Sequence, residues 1–196
     1  MSIGTMEAVA DRLLTAEQFA ELPEEPRAEL VKGRFVEMPR VKPLHGLINA
    51  EIIFLLKLWA REAGFVVFDD SGIITTRDPD SVRGPDCSVY RRDDVPADLT
   101  AYPETPPSLC VEIRSPSSTL AELQDKADEY LAIGVAVVWL VMPETESVEV
   151  VTADGRSTFD SRETLPGQDA LPGLAVDVAS IFAFVTPSSA NSASDA

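Results

Sequence analysis

Two carboxylates stand where carboxylates are costly. Asp86 lies in the run Gly84-Pro85-Asp86-Cys87-Ser88-Val89-Tyr90, and Glu112 lies in Ser108-Leu109-Cys110-Val111-Glu112-Ile113-Arg114-Ser115-Pro116. Both runs read as buried strands, and a carboxylate buried there needs a cation, either a basic side chain or a metal ion. Strand alternation puts Cys110, Glu112 and Arg114 on one face and Val111 and Ile113 on the other, while Asp86 shares its face with Ser88 and Tyr90. If the two strands are neighbours, Asp86 and Glu112 converge. Two carboxylates with waters and a substrate phosphate suit a hard cation such as Mg²⁺, with Mn²⁺ as a substitute. The chemistry expected is metal-assisted hydrolysis of a phosphodiester.

These residues also carry a family resemblance. Pro85-Asp86, Glu112-Ile113-Arg114 and Lys126 on the next helix resemble the PD-(D/E)XK nuclease pattern, and more narrowly the Uma family of restriction-endonuclease-like proteins. Supporting text is spread along the chain, in Ala28-Glu29-Leu30-Val31-Lys32-Gly33, in His45, in Val111 to Ser117, in Lys126 to Tyr130 and in Ala132-Ile133-Gly134-Val135. The likeness runs from about Glu17 to Phe182.

The resemblance implies an α+β fold, a restriction-endonuclease-like mixed β-sheet core flanked by helices, with an N-terminal hairpin. It implies an endonuclease acting on DNA, with Asp86, Glu112 and Lys126 as catalytic residues. Asp86, Glu112 and the carbonyl of Ile113 would hold Mg²⁺, and Arg114, Glu29 and His45 would contact substrate. In the parent pattern a lysine stands two residues after the glutamate, where this chain has Arg114. Arginine is always protonated and is a poor proton acceptor, so Arg114 is assigned to phosphate and Lys126 to the attacking water. By analogy with nucleases that cut two strands at once, a homodimer is expected.

Each residue also has a plainer reading. Asp86 after Pro85 suits a turn or a strand start. Glu112 could be neutralised by a buried ion pair with Arg114 or another basic residue. Lys126 could be a solvated helix residue paired with Glu122 at i,i+4 spacing, worth a few tenths of a kcal/mol. Glu29 could be an exposed hairpin residue, and His45, the one histidine, a cap or packing residue. Tyr130 and Trp139 read as core aromatics.

Composition bounds the setting. The chain has 196 residues, 45% of them hydrophobic, and reads as one nuclease-like domain over residues 15–185, after a flexible N-terminus (1–14) and before a disordered Ser/Ala-rich tail (186–196). No apolar run reaches the length of a membrane span and no leader pattern opens the chain, so a cytoplasmic protein with no membrane partner is expected. Cys87 and Cys110 lack metal-binding spacing and read as buried free thiols. The formal net charge of −17 opposes binding of a long polyanion. Arg77, Arg83, Arg91, Arg92, Arg114 and Lys126 nevertheless lie near the candidate site in sequence. A nuclease-fold interaction domain without productive catalysis, or a small-molecule phosphohydrolase, would fit that charge better.

The elements must then position these residues. Thr15-x-x-Gln18 opens a short helix ending before Pro23. Ala28 to Val31 and Arg34 to Met38 flank Lys32-Gly33 as a hairpin, with Glu29 on its first strand. Pro43 to Ala63 is a long helix stopped by Gly64, with Leu47, Ile48, Ile52, Leu55, Leu56 and Trp59 as its core stripe. Phe65 to Phe68 and Gly72 to Thr76 read as strands feeding the Asp86 run. Thr119-x-x-Glu122 opens a helix to Ile133, followed by a central strand from Val135 to Met142. Ser147 to Thr152 and Arg156 to Phe159 form an edge hairpin around Asp154-Gly155, and Val176 to Phe184 is a short terminal segment.

Overall fold

Local chemistry sets most of the element ends. In the computed structural model, which describes residues 12–116 and 118–184, helix α1 (Ala16–Ala20) starts at Thr15 with both reciprocal bonds of a capping box to Gln18. Strands β1 (Ala28–Val31) and β2 (Arg34–Glu37) pair antiparallel across Lys32 and Gly33. The positive φ angles of those two residues, 50° and 76°, make the two-residue turn that matches a hairpin's twist. Helix α2 (Pro43–Ala63) has proline in its first turn and ends at Gly64, left-handed at φ 79°.

Strands β3 (Phe65–Asp69), β4 (Ile73–Thr76) and β5 (Ser81–Arg83) come next, followed by β6 (Cys87–Arg91) and β7 (Leu109–Ile113). Helix α3 (Leu120–Ala132) opens on the expected Thr119–Glu122 capping box and leads to β8 (Val137–Met142). The hairpin of β9 (Ser147–Thr152) and β10 (Gly155–Phe159), the short strands β11 (Thr164–Pro166) and β12 (Ala175–Asp177), and α4 (Val178–Ile181) complete the described chain.

The central sheet has the order β10-β9-β8-β7-β6-β3. Its neighbours are antiparallel except β7 and β8, which run parallel and are joined by α3, the crossover that a parallel pair requires. A second sheet, ordered β2-β1-β5-β4, carries the N-terminal hairpin. The architecture is the expected α+β one, with a mixed sheet flanked by helices and β7 and β8 at its centre.

Strand alternation sorts the core. Val111 and Ile113 face α2 and pack with Ile48, Ile52, Leu56 and Trp139. Cys110 points the other way, under Leu123, Ala127 and Tyr130 of α3. Glu112 shares that α3 face by the same alternation. A third cluster, including Leu14, Phe19, Leu30 and Val82, anchors α1 to the second sheet.

Several expectations change. Leu14, assigned to a flexible start, is buried and donates its amide to the Gly33 carbonyl; residues 1–11 and the tail 186–196 lie outside the described residues. Strands β5 and β11 were not expected, since three residues are too few to show a period. β3 and β4 fall in different sheets. Leu47 is exposed rather than core, because α2 carries two apolar stripes and only the one through Ile48, Ile52 and Leu56 meets the sheet. By length and composition α2 alone among the described helices could cross a membrane, with mean hydropathy 1.2, contrary to the expectation of no such run. Cys87 and Cys110 are buried free thiols on opposite faces of the sheet.

Candidate active site

Glu112 sits in the fully buried strand β7, and among the described residues its side-chain hydrogen-bond partners come from α3. The Lys126 ammonium donates to both Glu112 oxygens at 3.1 Å, and the Tyr130 hydroxyl, one helical turn on, donates to Oε1 at 2.7 Å. The spacing of four residues puts Lys126 and Tyr130 on one face of the helix. Lys126 is not paired with Glu122, whose side chain closes the capping box. Instead its third contact crosses to the second sheet, where Glu29 Oε1 on β1 accepts at 2.8 Å.

Glu29 in turn accepts from Arg83 on β5 at 2.9 Å and from the Gly84 amide at 3.3 Å, and Arg83 grips Glu129 of α3 with two bonds of 2.7 and 2.6 Å. Glu29 is therefore buried in a charge network rather than exposed on its hairpin.

Asp86 immediately precedes β6. Extending the β6–β7 register, in which Cys87 faces Val111, by one residue sets Asp86 opposite Glu112. Its Oδ2 accepts the Ile113 amide at 2.7 Å and lies 3.2 Å from His45 Nε2 in the first turn of α2. Its Oδ1 is 3.9 Å from Arg27, which bonds Asp70 at 2.5 Å. His45 Nδ1 is buried and has no hydrogen-bond partner among the described residues. Four elements and the residue just before β6 thus bring Glu29, His45, Asp86, Glu112 and Lys126 together.

The electrostatics follow from crowding. Burial, reinforced by the charges of Asp86 and Glu29, pushes the Glu112 carboxyl up to about 7 despite Lys126 and Tyr130. Burial also penalises the Lys126 ammonium, yet Glu112 and Glu29 more than offset it, and its pKa is raised. Glu29 is held below its ordinary value because Lys126 and Arg83 outweigh its desolvation. Burial disfavours the His45 imidazolium, but the hydrogen bond and charge of Asp86 prevail and raise its pKa above 6.5. Carboxylates outnumber cations here, and one of them, Glu112, is held at the edge of ionisation.

Arg114 lies apart from this cluster. Its side chain lines a separate cleft with Leu120, Gln124, Met142, Glu144 and Glu149, and its Nε is buried without a partner among the described residues. Of the buried ion pairs that the sequence allowed for Glu112, the one with Arg114 does not form and the one with another basic residue, Lys126, does. Arg77 is also elsewhere, tying Glu17, Asp80 and Glu104 together, and Arg91 lies over the Phe65 ring.

Sequence reading missed Tyr130 as more than a core aromatic, and it missed Arg27 and Glu129 altogether. The i+4 spacing of Tyr130 from Lys126 was the available signal. Nothing local marks Arg27 or Glu129.

Beside Arg27 and Glu29 opens a cleft of about 660 Å³, walled in part by Phe35, Phe68, Asp70 and Tyr102. Among the described residues no three His, Cys, Asp or Glu side chains form a ready metal cage. The donor chemistry still fits a hard cation that keeps its waters. Two carboxylates, Asp86 and Glu112, stand opposite each other in the extended β6–β7 register, and the charges of Asp86 and Glu29 that add to burial in raising Glu112 are what a divalent ion would offset.

Comparison with known proteins agrees with this architecture. A crystal structure described as that of "a putative nuclease belonging to DUF820", from Anabaena variabilis, superposes with a TM-score of 0.76 at 20% identity, covering 88% of this chain and 99% of that one. No curated protein matches the sequence. The family model described as "Putative restriction endonuclease" matches residues 16–179, which contain every residue of the cluster. The chain belongs to this family, Uma2.

Proposed function

We propose that the chain is a metal-dependent endonuclease that hydrolyses DNA phosphodiester bonds at Asp86, Glu112 and Lys126. The observation that carries this reading is a buried lysine held by two carboxylates, Glu29 and Glu112, with a third, Asp86, opposite Glu112 in the register. Asp86 and Glu112, with the Ile113 carbonyl, would hold Mg²⁺ or Mn²⁺. When bound, the ion supplies charge neutralisation at the phosphate and acidifies a water.

The chain's own residues do the rest. Lys126 stays protonated between its carboxylates, so it acts as a hydrogen-bond donor that orients the attacking water, not as a base. Tyr130 fixes the rotamer of Glu112 through its 2.7 Å bond. His45 braces Asp86 through Nε2. Glu29 and Arg83 hold Lys126 from the far side.

One observation favours a second reading, a small phosphodiester as substrate. Around the site Lys126, Arg83 and Arg27 are each paired with carboxylates, and the chain carries −17 overall, which gives a long backbone little to hold. Cleavage of plasmid, single-stranded DNA and an activated phosphate diester with Mg²⁺ or Mn²⁺, beside Asp86→Ala, tests both. Asp86-dependent cutting of DNA supports the nuclease, and hydrolysis of the small diester alone supports the second reading. Activity that survives Asp86→Ala refutes the site.

A further inference from the structure

The cleft beside Arg27 and Glu29 has the walls of a ligand site. Its volume of about 660 Å³ falls within the ~300–1,000 Å³ of small-molecule pockets. Phe68 comes to it from β3 of the central sheet, Phe35 from β2 of the second sheet and Tyr102 from the loop between β6 and β7, and all three are half-buried.

Two of these rings are held in place. Tyr102 stacks on Phe19 of α1, with centroids 5.7 Å apart and planes 26° from parallel. The Ile74 amide of β4 ties its loop down by donating to the Pro103 carbonyl at 2.9 Å. The absence of a side chain at Gly72 makes room for the ring, since a Cβ there would come within 2.6 Å of it. Phe68 meets Tyr90 edge to face, with centroids 5.4 Å apart. Braced, partly exposed rings are what a flat aromatic ligand stacks on.

Charge narrows the ligand. Among the described residues that wall the cleft, Arg27 is the one basic side chain, against Glu24, Glu25, Glu29, Asp70 and Asp98. An anion is repelled, a cation meets the Arg27 guanidinium, and a neutral ring edged with N–H donors finds carboxylate acceptors. A nucleobase has that chemistry. Arg27 also joins the cleft to the carboxylate cluster, bonding Asp70 at 2.5 Å while standing 3.9 Å from Asp86 Oδ1. Glu29 and Gly84, bonded to each other at 3.3 Å, belong to both as well. A nucleotide with its phosphate at Asp86 therefore has its base beside the cleft.

We propose that this cleft holds the base of an unpaired nucleotide next to the scissile phosphodiester, which makes single-stranded or locally unpaired DNA the substrate class. A base inside a duplex is stacked and paired and enters such a cleft only after extrusion, a cost that a single strand does not incur. Stacking also supplies affinity without a basic groove, which suits a chain of net charge −17. The substrate assignment rests on the phosphodiester chemistry proposed for Asp86 and Glu112, whereas base binding itself requires no metal.

Titration of the full chain into 2-aminopurine deoxyriboside, an uncharged nucleoside whose fluorescence is quenched by stacking, tests base binding in EDTA. Quenching should saturate, Tyr102→Leu should weaken it about tenfold, and Tyr102→Phe should stay within about threefold of the original. Phe68→Leu, on the edge strand β3, should also weaken it about tenfold and serves if Tyr102→Leu does not fold. With Mg²⁺, the unmodified chain should cut a single-stranded oligonucleotide at higher kcat/KM than the same sequence as a duplex, and Tyr102→Leu should erase that preference. No saturable quenching up to about 1 mM protein, the weak end of specific binding, overturns the proposal. So does quenching indifferent to both ring substitutions, displacement by benzyl alcohol or choline as readily as by deoxynucleosides, or a preference for the duplex. Ring-dependent base binding without any DNA cleavage would support the base pocket and refute the nuclease reading, and Asp86-dependent cleavage without base binding would do the reverse.

Discussion

Replacing Lys126 by methionine keeps the aliphatic stem on α3 and deletes the ammonium. Glu29 would keep Arg83 and the Gly84 amide, whereas Glu112 would keep only the Tyr130 hydroxyl. The cost therefore falls on Glu112, and its size depends on whether Glu112 is charged. At about pH 8, above the value of about 7 that its surroundings impose, Lys126→Met leaves a buried uncompensated carboxylate and should cost about 3–5 kcal/mol. At about pH 5 Glu112 carries its own proton. The loss then reduces to the charged hydrogen bond with Glu29, about 2 kcal/mol. Urea unfolding of both proteins in EDTA at the two pH values measures the difference. Adding Glu112→Gln to Lys126→Met should recover most of the loss at the higher pH, since the orphaned charge is gone. A cost under about 1 kcal/mol at both pH values, the range of a surface ion pair, would show that Lys126 is merely solvated and refute the buried-cation reasoning.

Three further outcomes are expected. In metal-free protein, Glu112 binds its proton more tightly folded than unfolded (about 7 against 4.5), so this group's stabilisation is complete below about pH 4.5 and fades as pH rises through 7. At roughly 1.4 kcal/mol per pH unit the loss is about 3–4 kcal/mol, and unfolding titrations should show it in the unmodified chain and not in Glu112→Gln. Tyr130→Phe removes one buried bond to a carboxylate and should lower stability by about 1–2 kcal/mol in denaturant melts, with turnover falling more than KM changes. Arg114→Lys should not rescue cleavage in a Lys126→Ala background, because position 114 lines a different cleft, and labelled-duplex cleavage that returns in the double variant would put the strand lysine back in the site.

The elements governed by neighbouring residues were legible in the sequence, and those governed by distant contacts were not. The capping boxes at Thr15 and Thr119, the Lys32-Gly33 turn and the Gly64 stop each depend on a few adjacent residues, so they could be read directly. The cost of burying Asp86 and Glu112 in apolar strands was legible for the same reason, and with it the expectation of a cation. Which cation is nearest was not. Arg114 is two residues from Glu112 yet faces another cleft, while Glu29 reaches Lys126 across 97 residues because β1 belongs to a different sheet. The two stripes of α2 make the same point. Both have helical spacing, and only the tertiary packing chose Ile48, Ile52 and Leu56 for the core and left Leu47, Phe54 and Leu58 outside. A sequence prescribes local geometry because backbone preferences act over one turn, whereas burial and charge pairing are set by whichever surfaces the assembled sheets bring within a few ångströms.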